Sequence, residues 1–230
     1  MSKDSFSFRQ FTVRQERCAM KVGTDGVLLG AWACKKPAES PMRILDIGTG
    51  TGLIALFLAQ RFPNATIEAI DIDDDAVTQA NENFAASPFA DRLTSRRAYL
   101  QDEDEQERYD LVVCNPPFFV DSLTCPDDKR TMARHAKTLT LAELARKANQ
   151  LLKTDGTLAV IIPSENKTTM ESECIFNGMS LQRLCRVKTK MTKPEKRVMI
   201  EFGKHADTIY DEVLIIGDDK YKALTGHFYL

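Results

Sequence analysis

No stretch of this chain stays apolar long enough to cross a bilayer as a helix, so neither a membrane span nor a membrane partner is expected. No Cys-x-x-Cys pair occurs either. The six cysteines (Cys18, Cys34, Cys114, Cys125, Cys174 and Cys185) are scattered, without histidines at zinc-ligand spacing, and no metal is expected. A disulfide framework fits poorly too, because 230 residues can stabilise themselves through a core; reduced, mostly buried thiols are expected. Residues Met1 to Gln10 are polar and lack the apolar segment of a secretion signal, so the expected location is cytoplasmic. Charge of one sign is missing as well: 31 Lys and Arg stand against 33 Asp and Glu, a net charge of −2. Any affinity for nucleic acid must therefore come from local basic patches, not from the field of the whole molecule. There is no internal repeat and no low-complexity segment.

What is present is the composition of an ordinary globular domain, 43% hydrophobic and 28% charged. From Arg43 onward, short apolar runs alternate with helical patterns. Strands are expected at Arg43–Ile47, Thr66–Asp71, Leu93–Ala98, Tyr109–Cys114 and Thr157–Ile162. Helices are expected at Leu53–Arg61, at Asp74–Ala86 with Asp73 as N-cap, and at Leu141–Leu152, stopped by Gly156. That alternation predicts right-handed βαβ units and a mostly parallel sheet covered on both faces. After Leu181 two strands, Leu181–Thr189 and Arg197–Phe202, are joined by a basic loop around Pro194 and read as a hairpin at the sheet edge. The first forty or so residues stand outside the alternation, as an arm or small helical lid, with the single tryptophan, Trp32, as core behind it.

Where the first strand meets its helix stands Asp46-Ile47-Gly48-Thr49-Gly50-Thr51-Gly52. Glycines there let the backbone turn tightly and a ligand approach without a Cβ in the way. A dinucleotide fingerprint needs its last glycine one place later, where this chain has Leu53. The spacing suits a nucleoside without a pyrophosphate, such as S-adenosylmethionine, whose ammonium Asp46 can orient directly or through water. About twenty residues on, Asp71 ends the next strand, where a carboxylate accepts hydrogen bonds from both ribose hydroxyls. Taken singly, the glycines make only a turn and Asp71 caps only a helix; together they point to a nucleoside-type cofactor.

The fourth strand runs into Asn115-Pro116-Pro117-Phe118. The two prolines fix φ and remove two donors, leaving carbonyls free as acceptors. An exocyclic amine brings two N–H groups, and the Asn115 side-chain oxygen and the Pro116 carbonyl supply two acceptors. Phe118 offers a face for stacking a planar base, an interaction of about 1–3 kcal/mol. A Pro-Pro pair alone would only end a strand. On one sheet edge with the glycine loop and the ribose acid, the tetrapeptide points to methyl transfer onto a planar nitrogen.

These motifs together resemble the N-methyltransferases that carry an Asn-Pro-Pro-aromatic segment. More specifically, Phe8-Arg9-Gln10-Phe11 and the run Ala19–Trp32 are similar to the opening of bacterial tRNA1(Val) adenine-37 N6-methyltransferases. The likeness extends to Asn81-Glu82-Asn83, Arg197-Val198-Met199 and the closing Phe228-Tyr229-Leu230. The resemblance implies a Rossmann-like class I α/β fold, with a mostly parallel seven-stranded sheet, an antiparallel edge hairpin and a short N-terminal arm. It implies an arm over residues 1–40 and a methyltransferase domain over 41–230. It implies S-adenosylmethionine as cofactor and the tRNA anticodon loop as partner; the sequence does not reveal the oligomeric state, and a monomer is the expectation. It also places Lys21 to Asp25, with Lys21 and Thr24 as contacts, against the methionine end of the cofactor. Read as structure alone, Gly23 and Gly26 mark turns, and Thr24 or Asp25 caps a helix starting at Val27. Related enzymes often carry an acid after the third strand that reads the cofactor adenine; here Tyr99 stands there, with Gln101 and Asp102 close by.

Arg183, Arg186, Lys188, Lys190, Lys193, Lys196 and Arg197 form a cationic segment, and Lys3, Arg9, Arg14, Arg17 and Lys21 another. Both suit a phosphate-tracking surface or, equally, a solvated hairpin and tail. Lys129, Arg130, Arg134 and His135 follow the tetrapeptide in a substrate-facing loop, and Asp102 to Glu107 reads as a solvated acidic connection. Guanine-N2 methylation of rRNA and glutamine methylation of protein use the same tetrapeptide and remain alternatives, as does a nucleoside-binding module without catalysis.

Overall fold

The computed structural model describes residues 4–18, 20–104, 106–116, 139–205 and 208–230. Lys3, Pro117, Phe118, Cys125, Lys129, Arg130, Arg134 and His135 lie outside the described residues. An antiparallel pair, β1 (Ser5–Ser7) and β2 (Thr12–Arg14), precedes helix α1 (Thr24–Trp32). Then come β3 (Met42–Ile47), α2 (Leu53–Arg61), β4 (Ala65–Asp71), α3 (Asp74–Ala85), β5 (Leu93–Arg97) and β6 (Tyr109–Cys114). Helix α4 (Leu141–Leu151), β7 (Leu152–Pro163), α5 (Lys167–Phe176), β8 (Ser180–Lys188), β9 (Arg197–Gly203), β10 (Tyr210–Ile215) and α6 (Asp219–Thr225) complete the chain.

The central strands are apolar on both faces because both are covered. In β6, Leu111 and Val113 enter one core, with residues of α1, α2 and α3; Val112 and Cys114 enter the other, with α4 and α5. The main sheet runs β10-β8-β9-β7-β6-β3-β4-β5, parallel except where β9 pairs with β7 and β8. Connections leave β3 toward β4 and β5 on one side, and β6 toward β7 on the other. The strand order therefore reverses between β3 and β6, and the crevice at their carboxyl ends is where such sheets bind ligands.

The doubly wound sheet is the expected one, but it has eight strands where seven are expected. The stretch Tyr210–Ile215 adds outside β8 in parallel, so the β8–β9 hairpin lies one strand in from the edge. Gly156 does not stop α4: the helix ends at Leu151 and β7 starts at once, with a register shift against β6 between Tyr109 and Leu111 that takes up the glycine. Helix α1 begins at Thr24, not Val27; its N-cap is Gly23, which has no side chain to cap it, and Asp25, inside the first turn, accepts from Arg197 (2.8 Å). The acidic connection is not wholly solvated. Glu103 is buried, neutralised by Arg96 (2.6 Å) and Arg108 (3.0 Å), and its carbonyl accepts from the Lys147 ammonium (2.9 Å).

The arm is held by packing. Phe8, Phe11 and Val13 join the core around Phe57, and the Phe57 ring stacks on Phe228 (centroids 4.1 Å apart). The Arg9 amide donates to the Phe228 carbonyl (2.8 Å), so the first and last motifs of the sequence meet. Trp32 is core, as expected, with the Arg183 guanidinium over its ring at 4.0 Å. Five cysteines, Cys18, Cys34, Cys114, Cys174 and Cys185, are free and buried. Among the described residues no helix is long and apolar enough to cross a membrane.

Candidate active site

The register of β3 and β6 sets the site. Ile47 pairs with Cys114, so Gly48 and Asn115 leave the sheet side by side, about 5 Å apart by the usual strand spacing. On the other flank Ile47 pairs with Ile70, which brings Asp71 to the same edge. The glycine loop is then pinned by hydrogen bonds. The amides of Gly48 and Thr49 donate to the Ile70 carbonyl (2.9 and 3.1 Å), and the Gly50 amide donates to Asp71 Oδ2 (2.9 Å).

Gly48 and Gly50 have φ of 68° and 54°, and a Cβ on either would meet nothing within 4 Å. They leave the loop an open face that a ligand can approach. Gly52 is different: a Cβ there would stand 2.4 Å from the Phe84 ring, so this glycine is required for packing α2 against α3.

Asp46 lies beneath the loop, fully buried. Its Oδ2 accepts from the Thr49 hydroxyl (2.7 Å), while Oδ1 is buried with no partner among the described residues. Burial pushes this carboxyl up to about 7, opposed by hydrogen bonds from the Thr49 hydroxyl and the Ala55 amide; the nearby Asp71 charge raises it further. Asn115 has the same feature: its Oδ1 is buried and has no partner among the described residues. An unpaired buried acceptor costs about 1–3 kcal/mol. Two of them on adjacent strand ends, beside an open loop, form a cradle for a polar ligand that brings donors.

The remaining sequence candidates fall around this cradle. Asp71 also accepts from the Asp73 amide (3.1 Å), and Asp73 caps α3 as expected. The Ala98 amide donates to the Asp71 carbonyl (3.0 Å), which brings half-buried Tyr99 to the same edge. Asn83 joins the arm to the loop. Its amide donates to the carbonyls of Arg14 and Thr51 (both 2.8 Å), and its oxygen accepts from the Arg14 amide (2.9 Å). Gln79 accepts from the Arg17 amide (3.2 Å), and Gln15 accepts from the Val22 amide (2.8 Å). Cys18 lies within the field of Asp71, Asp73 and Asp75, which together with burial push its thiol up to about 11. The exposed Lys21 and Thr24 follow on this tethered segment.

One residue escaped the sequence reading. Ile72, just past Asp71, is 49% exposed at the ligand edge, an apolar surface with no structural use there. The signal was available in Ile70-Asp71-Ile72, where the apolar alternation continues past the end of the strand.

The cationic segment is narrower than its sequence suggests. Arg183 is buried against Glu201 (2.9 Å), Arg186 is paired with Asp211, and Arg197 with Asp25. Among the described residues Lys188, Lys190, Lys193 and Lys196 have no acidic partner within salt-bridge distance.

A family model, Methyltransferase small domain, matches residues 33–183. A tRNA1(Val) (adenine(37)-N6)-methyltransferase of Parabacteroides distasonis is 49% identical over 207 residues, covering 88% of this chain and 85% of that protein. One of Bacteroides thetaiotaomicron is 43% identical over 237 residues, covering 100% and 99%. The chain belongs to this methyltransferase family. S-adenosylmethionine is accordingly its cofactor, and the orphaned Asp46 oxygen and the open glycine loop fit that group. Among solved structures, an Agrobacterium tumefaciens protein classed as an O-methyltransferase shares the fold at a TM-score of 0.68 and 15% identity, over 90% of this chain and 98% of that one. The ribosomal protein L11 methylase of Lactobacillus delbrueckii subsp. bulgaricus does so at 0.55 and 18%, over 78% and 77%. Members of this methyltransferase family thus share the fold with distant enzymes, while the arm is tied to it by Asn83, a residue of the family-like Asn81-Glu82-Asn83 segment.

Proposed function

We propose that this enzyme methylates N6 of an adenine in tRNA, adenine 37 of tRNA1(Val), as its relatives' names describe. The observation that carries the reading is the buried Asn115 oxygen, without a partner among the described residues, one residue past a Cys114 that pairs with Ile47. When bound, S-adenosylmethionine supplies a methyl group on a sulfonium, an electrophile whose leaving group is a neutral thioether.

The chain's own residues bind, orient and exclude water. Asn115 Oδ1 and the Pro116 carbonyl accept the two amine hydrogens, which turns the N6 lone pair toward the methyl group. Pro117 and Phe118 lie outside the described residues; by residue type Pro117 lacks an amide donor, and the Phe118 ring would stack on the extruded base. No strong base is required, since the methylated ammonium is itself acidic and loses its proton to water. Positioning of this kind supplies most of the acceleration. Asp46 would hold the methionine ammonium, Gly48 and Gly50 would line the cofactor, and Asp71 would hold the ribose hydroxyls. Ile72 and Tyr99 would flank the adenine end. Residues 1–40, including Lys21 and Thr24, close over the methionine end, against the domain formed by residues 41–230.

The test is mass spectrometry of nucleosides from valine tRNA treated with the purified enzyme and cofactor. N6-methyladenosine is expected. Methylated guanine in rRNA, or methylglutamine in protein, as the product instead would overturn the reading. Asn115→Ala should abolish transfer while leaving cofactor affinity nearly intact by calorimetry, whereas Asp71→Ala should weaken cofactor binding first.

A further inference from the structure

The turn between β8 and β9 takes no part in the chemistry above, yet it lies at the same edge of the sheet. Pro163 at the carboxyl end of β7 pairs with Arg197 at the start of β9, and β7 runs parallel to β6. The turn therefore rises on the side of the sheet where Asn115 stands; its root lies two strand spacings across the sheet, about 10 Å, and, because Cys114 pairs with Val160, about 10 Å further along the strands. Its root is fixed. The Lys196 amide donates to the Val187 carbonyl (3.2 Å), the Ser164 hydroxyl to the Glu195 carbonyl (2.8 Å) and the Ile216 amide to the Lys188 carbonyl (2.9 Å).

At its tip the Lys193 amide donates to the Lys190 carbonyl (3.1 Å), closing a tight turn with Met191 and Thr192 at its centre. Met191 is 67% exposed. Among the described residues Lys188, Lys190, Lys193 and Lys196 flank it without acidic partners, and the loop's one acid, Glu195, is turned to Arg186 (3.8 Å). A single exposed apolar residue is ordinary. A methionine held at the tip of a fixed turn, between uncompensated cations, at the edge to which a base must be drawn out of its stack, is not.

We propose that Met191 is a wedge that enters the base stack beside the target adenine while the flanking lysines hold the phosphates on either side. The inference rests on the RNA-methylating reading above. Extruding a base costs a few kcal/mol, and apolar side chains, methionine among them, offset such costs at kinked steps by filling the gap. The unbranched, polarizable thioether suits the face of a base, and the lysines supply the sequence-independent grip that sets its depth.

The test uses an anticodon stem-loop carrying a fluorescent purine (2-aminopurine) next to the target adenine, with S-adenosylhomocysteine as a binding control. Wild-type enzyme should raise the fluorescence on binding. Met191→Ala should bind the stem-loop and S-adenosylhomocysteine with nearly unchanged affinity, show little fluorescence rise, and methylate with kcat reduced roughly tenfold. Met191→Leu should recover most of that loss. On a stem-loop with an abasic site in place of the neighbouring base, Met191→Ala should match the wild type, because the stack is already broken. Equal rates for Met191→Ala and wild type on the intact stem-loop, or equal losses on both substrates, would overturn the wedge alone. Wild-type enzyme that methylates neither stem-loop would overturn the RNA reading itself, and the wedge with it.

Discussion

Asp46 keeps its proton further up the pH scale than an ordinary carboxylate because the fold surrounds it with protein and leaves one oxygen without a donor. Its folded value, about 7, lies above the ordinary 3.8, so the folded chain binds this proton more tightly than the unfolded chain. The stability it contributes is complete below the ordinary value and is lost as the pH rises through the folded one. Asp46→Asn should therefore raise the melting temperature of cofactor-free protein above neutrality, by about 2–4 °C for each kcal/mol regained, and have little effect near pH 4. On the proposed reading, pairing of the cofactor's ammonium with the anion would reverse the balance. Affinity for S-adenosylmethionine should tighten as the pH climbs from about 6 to about 8, and the asparagine variant should bind weakly with a flat profile. A flat profile in the wild type would remove Asp46 from the ammonium site. Calorimetry at several pH values reads both.

Elements matter through what they hold in place, and α3 is the clearest case. Asn83 makes three hydrogen bonds that join β2 to the glycine loop. Asn83→Ala should cost about 2–3 kcal/mol in urea denaturation. It should also speed amide exchange at residues 12–17 and weaken cofactor binding, while a substitution at exposed Thr78 does none of these. The periodic elements were legible in the sequence: α2 and β6 begin and end where apolar spacing and glycine punctuation put them. The register that makes the site was legible only as an expectation, since pairing of Ile47 with Cys114 is a tertiary fact. The start of α1 was misread because Gly23 and Gly26 look like turn markers. Gly26 instead lies inside the helix, where a Cβ would stand 3.0 Å from Leu53, so close packing on α2 overrides local propensity. β10 was not seen because Tyr210–Ile215 starts acidic and exposed and becomes a strand only by pairing with β8. The tie made by Asn83 was equally hidden, since an asparagine in a helix carries no signal of the strand it will meet.

At the scale of the whole molecule, a net charge of −2 conceals an uneven distribution. Much of the cationic charge is spent internally. Arg183 and Glu201 form a buried pair that also fastens the end of α1, since Glu201 accepts from the Cys34 amide (2.6 Å) and Arg183 covers Trp32. Arg183→Met should destabilise the fold by about 3–5 kcal/mol by stranding Glu201, and adding Glu201→Gln, which removes the charge and keeps an acceptor for the Cys34 amide, should restore part of it in thermal melts. The cations left uncompensated among the described residues include Lys188, Lys190, Lys193 and Lys196, gathered at the carboxyl edge of the sheet. If they carry the RNA backbone, binding should weaken steeply with salt although the protein as a whole is anionic. Each single-stranded phosphate contact adds about 0.7 to the slope of log affinity against log salt, so the four together should give about −3. Lys190→Ala with Lys193→Ala should bring the slope to about −1.5 and lower affinity alike for every sequence tested. Lys222→Ala, whose ammonium pairs with Asp219 on α6 (3.5 Å), should leave the slope where it was. A wild-type slope near zero would mean that the edge does not meet phosphates.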